Sequence, residues 1–171
     1  MKKLCSILIV LLLSVSVFAG DNASATVSAS LVKGLAITNV GGSSITFGEI
    51  ILNGSAQTPT VAPGSGANFE VTGQPNRDVT ITFSTADLNN DAWVTTNGGT
   101  NGTMTFTPNL EHTGSSSTYS TGTAVTSGNA YTLVNASGTG TLYLWAGGQL
   151  SVAADQAWGD YTGTFTVTVA Y

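Results

Sequence analysis

Few side chains in this sequence could do chemistry, and their spacing is poor for it. His112 is the single histidine, in a polar, Gly-rich stretch over 111–129. No cysteine or second histidine is placed to share a metal with it, so an exposed loop residue is the simpler reading. No Gly-x-Ser-x-Gly motif between a strand and a helix presents a serine nucleophile. "PGSGAN" (63–68) resembles one superficially and reads as a turn. "DLNND" (87–91) sets Asp87, Asn89 and Asp91 at alternate positions, as a calcium loop begins. Ala92 stands where such a loop needs glycine and no glutamate stands at the twelfth position, which leaves a turn capped by Asp and Asn side chains. Glu49 and Glu70 could act as a carboxylate pair only across a cleft that nothing in the sequence builds. The expectation is a protein that is not an enzyme and holds no metal or cofactor.

Trp93, Trp145 and Trp158 could stack on sugars. Trp93 and Trp145 fall in strand-like stretches and read as core. Trp158, in the turn-like "DQAWGDY" (155–161), reads as exposed and is the candidate ligand contact for a carbohydrate. The Asn-x-Ser/Thr sites at Asn22, Asn53, Asn101 and Asn135 are expected by chance in a chain so rich in these residues.

The elements that would carry these residues are strands. Apolar residues alternate in "ATVSASLV" (25–32), "LAIT" (35–38), "SITFGEI" (44–50), "ANFEVTG" (67–73) and "DVTITFS" (78–84). The same pattern runs through "AWVTT" (92–96), "GTMTFTPNL" (102–110), "AYTLVN" (130–135), "GTLYLWAGG" (140–148) and 161–171. Gly, Asn and Pro separate these runs; "QPNR" (74–77) is a good hairpin connection. No stretch sustains a helical period. Many short, regularly spaced strands indicate an antiparallel sandwich, whose strands need be apolar on one face only. Residues 111–129 read as a long loop or weak hairpin.

The first nineteen residues read as a secretory signal peptide, with a basic start, an apolar run and Val17-Phe18-Ala19 before the cut. Cleavage after Ala23 or Ala25 is the alternative. Cys5 lies inside this leader, so the exported chain has no cysteine and must hold by core packing alone. Residues 20–171 suffice for one domain. Charge is sparse: beyond Lys2 and Lys3 the only basic residues are Lys33 and Arg77, against nine acids. That excludes a nucleic-acid surface, which needs clustered cations, and argues against an anionic membrane surface. No membrane span is expected in the mature chain, where apolar residues alternate instead of running on.

The two ends of the mature chain share one character. In "GDYTGTFTVTVAY" (159–171), Tyr161, Phe165, Val167, Val169 and Tyr171 fall on every second residue. In 23–32, Ala23, Ala25, Val27, Ala29 and Leu31 do the same. The first of these strands is either strand A of its own sandwich or a donor that completes another chain's sheet.

"GGQLSVAADQAWGDYTGTFTVTVAY" (147–171) resembles the closing signature of the DUF4402 family of exported bacterial proteins. The match falls on Gly147, Gly148, Leu150, Val152, Gln156, Gly159, Tyr161, Gly163, Phe165, Val167, Val169 and Tyr171. "LAITNVGGSSITFGEI" (35–50) and "ANFEVTGQPNRDVTITF" (67–83) also fit. The closing strand is similar to that of pilus subunits and spore-coat U proteins as well. This resemblance implies an immunoglobulin-like, pilin-like sandwich. It also implies assembly with other copies or related subunits, first held by a periplasmic chaperone. Pilus subunits usually carry a disulfide, which this mature chain lacks. The expectation is an exported surface filament or coat subunit, found from the periplasm to the cell surface. Val27, Ala29 and Leu31 would insert, and Phe165, Val167, Val169 and Tyr171 would line the acceptor groove. The alternative is a monomeric carbohydrate-binding or adhesive module using Trp158.

Overall fold

The computed structural model describes residues 24–41 and 44–171. The expected signal peptide (1–19), Asn22 and Ala23 lie outside the described residues. The described residues fall into two units, 24–31 and 32–171.

Residues 24–31 form no strand, and all are exposed, Val27 at 92% and Leu31 at 90%. The strand expected over 25–32 is therefore not strand A of this domain. Alternation makes a strand possible, but a ladder partner must satisfy its backbone.

In chain order, the second unit comprises β1 (Ala36–Asn39), β2 (Thr60–Val61), β3 (Ala67–Gly73), β4 (Asp78–Phe83), β5 (Ala86–Asn89), helix α1 (Asp91–Asn97) and β6 (Thr103–His112). There follow β7 (Thr123–Val125), β8 (Ala130–Thr132), β9 (Val134–Ala136), β10 (Thr139–Ser151) and β11 (Val167–Ala170). These make an all-β sandwich of two antiparallel sheets. The large sheet runs β1-β3-β10-β6-β5, with β2 and β9 also on β10 and β7 on β6. The small sheet runs β11-β4-β8.

Strands β3 and β4 form where expected and 74–77 turns the chain, with Asn76 in the left-handed region (φ 56°) that Asn tolerates. The two strands are not the hairpin expected there: β3 lies in the large sheet and β4 in the small one, so 74–77 crosses from one sheet to the other. The strand expected over 140–148 runs further, to Ser151, because Gly147 and Gly148 continue it. A side chain at Gly147 would collide with the backbone at Val61, and one at Gly148 with Thr107 O and the Phe106 ring. Here glycine permits close strand approach.

One core lies between the sheets. Val79 and Ile81 of β4 meet Val71, Leu110, Leu142 and Leu144 of the large sheet, with Leu133 beside them, and none is more than 1% exposed. Val167 and Val169 pack on its margin. A second cluster, Met104, Phe106, Leu150 and Val152, lies at the other end of the large sheet.

Four local expectations change. Residues 92–96 are helix α1, not strand. Thr95, Thr96 and Asn97 turn their side chains back onto the carbonyls of Asp91, Ala92 and Trp93, and Asp91 favours the helix N-terminus. "DLNND" is mostly strand β5 running into α1, not a turn. Residues 44–50 keep their alternating burial but enter no ladder. The final strand is laddered only over Val167–Ala170, with one isolated bridge from Thr162 to Asn89.

Candidate functional site: a groove over the uncovered end of the large sheet

The second cluster forms the floor of a groove. Phe106 pairs with Leu150 and with Ala86 on adjacent strands, and Met104 pairs with Leu88, so one face of three strands is apolar. The small sheet does not reach over it. Two segments outside any ladder strand, 44–52 and 157–165, stand along its sides instead. Ile45, Phe47 and Ile50 lean in from the first, Tyr161 and Phe165 from the second. The Phe106 ring meets Phe47 at 6.0 Å and Phe165 at 5.6 Å, both edge-to-face. The Tyr161 hydroxyl donates to Ala157 O (2.6 Å) and accepts from Gln156 Nε2 (2.7 Å), fixing the second wall.

Between the walls lie adjoining cavities of about 330 and about 790 Å³, which share Ile45, Phe47 and Leu88. Among the described residues, no backbone-to-backbone hydrogen bond involves residues 44–52 or 163–166. Over 44–50 and 163–166 the walls therefore offer free N–H and C=O groups beside an apolar floor. Unpaired backbone beside an apolar face is the arrangement to which an extended peptide can in general add, through ladder bonds and alternate side chains.

Of the residues expected to line an acceptor groove, Phe165 does so. Val167 and Val169 pair with Phe83 and Ile81 of β4 and pack on the main core. Tyr171 is tied elsewhere: its hydroxyl accepts from Gln74 N (2.7 Å) and donates to Lys33 O (2.8 Å), while the Arg77 guanidinium lies 4.3 Å from its ring centre. Val27, Ala29 and Leu31 are exposed in the first unit. The floor residues were legible only as strand core. Segment 44–50 carried the groove's one sequence signal, an alternating run that needs a partner.

Trp158 is 65% exposed, as expected, and stands at the groove rim. Trp93 does not lie in a strand; it sits on α1, edge-to-face with Trp158 at 4.7 Å. Asn90, fully buried, holds this corner. Its Nδ2 donates to Thr100 O (3.2 Å) and Trp158 O (3.1 Å), and its Oδ1 accepts from Gly102 N (2.7 Å). Trp145, expected in the core, is half-buried on β10, donating from Nε1 to Thr113 Oγ1 at 3.0 Å.

The other candidates disperse. Asp87 accepts from Thr105 (3.0 Å) and Asp91 from Asn101 (2.7 Å). Among the described residues no three His, Cys, Asp or Glu side chains gather as metal ligands. Glu70 accepts from the Tyr143 hydroxyl at 2.9 Å, a bond that raises the tyrosine pKa, and Glu49 is exposed. His112 ends β6, edge-to-face with Tyr131 at 5.4 Å, and burial lowers its pKa. Among the described residues no helix is long and apolar enough to cross a membrane.

No curated protein matches the chain. The model of the family described as a domain of unknown function, DUF4402, matches residues 25–171. The chain belongs to that family.

Proposed function

We propose that this protein is an exported structural subunit of a bacterial surface filament or coat, with an immunoglobulin-like sandwich that assembles by β-strand addition. The observation that carries the reading is the groove, an apolar floor between two walls whose backbone groups are unpaired over 44–50 and 163–166. The occupant is residues 24–31 of a second copy. That segment has no ladder of its own, exposes Val27 and Leu31, and matches the walls in length. Its apolar residues alternate, so Val27, Ala29 and Leu31 face the floor together while Ser28 and Ser30 face water. Full burial of Val27 and Leu31 contributes about 1.5–3 kcal/mol each. A periplasmic chaperone would hold the same groove until a subunit arrives.

The test uses the chain expressed in full in a secreting host, with its N-terminus read by mass spectrometry. Light scattering and negative-stain imaging should find polymers. The double substitution Val27→Asp, Leu31→Asp should leave folded monomers of unchanged Tm. Undiminished polymers from that variant would remove the segment from the role.

The second reading, a carbohydrate-binding or adhesive module, is favoured by the Trp93–Trp158 pair, an exposed aromatic face on a fixed corner. Under it, Trp158→Ala abolishes binding on a glycan array without altering the fold or the polymers.

A further inference from the structure

We infer that the clamp closed by Tyr171 around Lys33 forces strand addition between chains, because the donor segment cannot reach the Leu150 floor of its own groove. This rests on the strand-addition reading above.

Lys33 is the point from which the segment departs, and three hydrogen bonds hold it. Lys33 N donates to Gln74 Oε1 (3.0 Å), and Lys33 Nζ to Thr139 Oγ1 (2.6 Å). The Tyr171 hydroxyl bridges Gln74 N and Lys33 O, and Arg77 covers its ring. The only two basic residues beyond Lys3 thus both serve this one junction.

The clamp and the groove occupy opposite ends of the large sheet. Thr139 opens β10, and the groove floor includes Leu150 near its close. At the rise of an extended strand these positions are about 36 Å apart. Leu31 can stray no further than about 7 Å from Lys33, and Val27 no further than about 21 Å. None of Val27, Ala29 and Leu31 can lie on the Leu150 floor of its own domain. A donor held this way closes no single-chain ring, and each addition leaves a free segment at one end and a free groove at the other. Such a head-to-tail contact grows an open chain unless its rotation closes a ring.

The experiment removes the restriction without touching clamp, segment or groove. About twenty Gly/Ser residues inserted between Leu31 and Val32 add a mean span of about 25 Å, which lets the donor fold back. Tethering then presents the donor at an effective concentration on the order of millimolar. At about 10 µM protein the insertion variant should form polymer about a hundredfold less than the natural chain. It should also refuse a labelled synthetic peptide of residues 24–31, its groove being filled from within. Equal polymerisation of both proteins would overturn the inference and leave strand addition standing. A natural chain that is monomeric and refuses the peptide would also overturn it, since the donor would be reaching home. If the Val27→Asp, Leu31→Asp chain, whose own segment cannot fill a groove, also refuses the peptide, strand addition itself fails, and the inference with it.

Discussion

The two ends of the large sheet carry the same kind of face and meet different fates. At one end, Leu142 and Leu144 of β10 lie beneath Val79 and Ile81 of the small sheet, and water is excluded from all four. At the other, Leu150 continues the same strand with the same alternation, beside Phe106. Its cover is two single segments with a cavity between them. Residue type does not distinguish these ends. What differs is whether the covering segments hydrogen-bond to one another: β4 is laddered on both sides, while 44–52 has no ladder at all. A sheet face can be buried by side chains while its roof is still missing a strand.

This contrast can be broken most forcefully at the covered end. Leu144→Ala should cost about 2–5 kcal/mol, because neighbours locked in a ladder cannot collapse into the void. Urea unfolding measures it, and a loss below about 1 kcal/mol would mean the covered end is as loose as the other. Phe47→Ala, on the groove wall, should cost the free chain about 1 kcal/mol or less yet weaken assembly tenfold or more. Hydrogen exchange sharpens the same point. Amides of 44–52 should exchange early in the free chain and become protected in polymers, whereas those of β4 should be protected in both.

The smallest effect belongs to His112. Its pKa is lowered by burial, so the unfolded chain takes up the proton first as pH falls. Its contribution is fully present above the ordinary value of 6.5 and is lost as pH drops from there through the lowered value. Tm should therefore decline between pH 7 and pH 5, and His112→Gln should flatten that decline.

The sequence reading found the strands of the covered end, because period-two alternation is a local signal, but it took 74–77 for a hairpin where the chain crosses between sheets. It misread α1: Val94, Thr95 and Thr96 are β-branched, and the back-bonding of Thr95, Thr96 and Asn97 to carbonyls one turn earlier is not visible as a pattern. It cut β10 short at Gly147 and Gly148, where close backbone approach, not a turn, requires glycine. It identified 161–171 as a strand, but could not divide it. Phe165 packs on both the groove cluster and the main core, and Val167 on the main core alone, although both obey one alternation, because the cover changes between them. The Asn90 bracket gave no signal, since its three partners are distant in sequence.

The clamp at Lys33 also sets how a polymer would bear load. Tension arriving through the donor segment enters the domain at Lys33 and passes into β1, which lies antiparallel to β3 over four residue pairs. A pull along that strand shears its ladder bonds together, instead of peeling them one by one. The Tyr171 hydroxyl and the Lys33 ammonium must yield first. With no disulfide to arrest extension, these two polar contacts would act as the mechanical fuse of the subunit, and pulling on Tyr171→Phe chains should lower the rupture force without changing the length released.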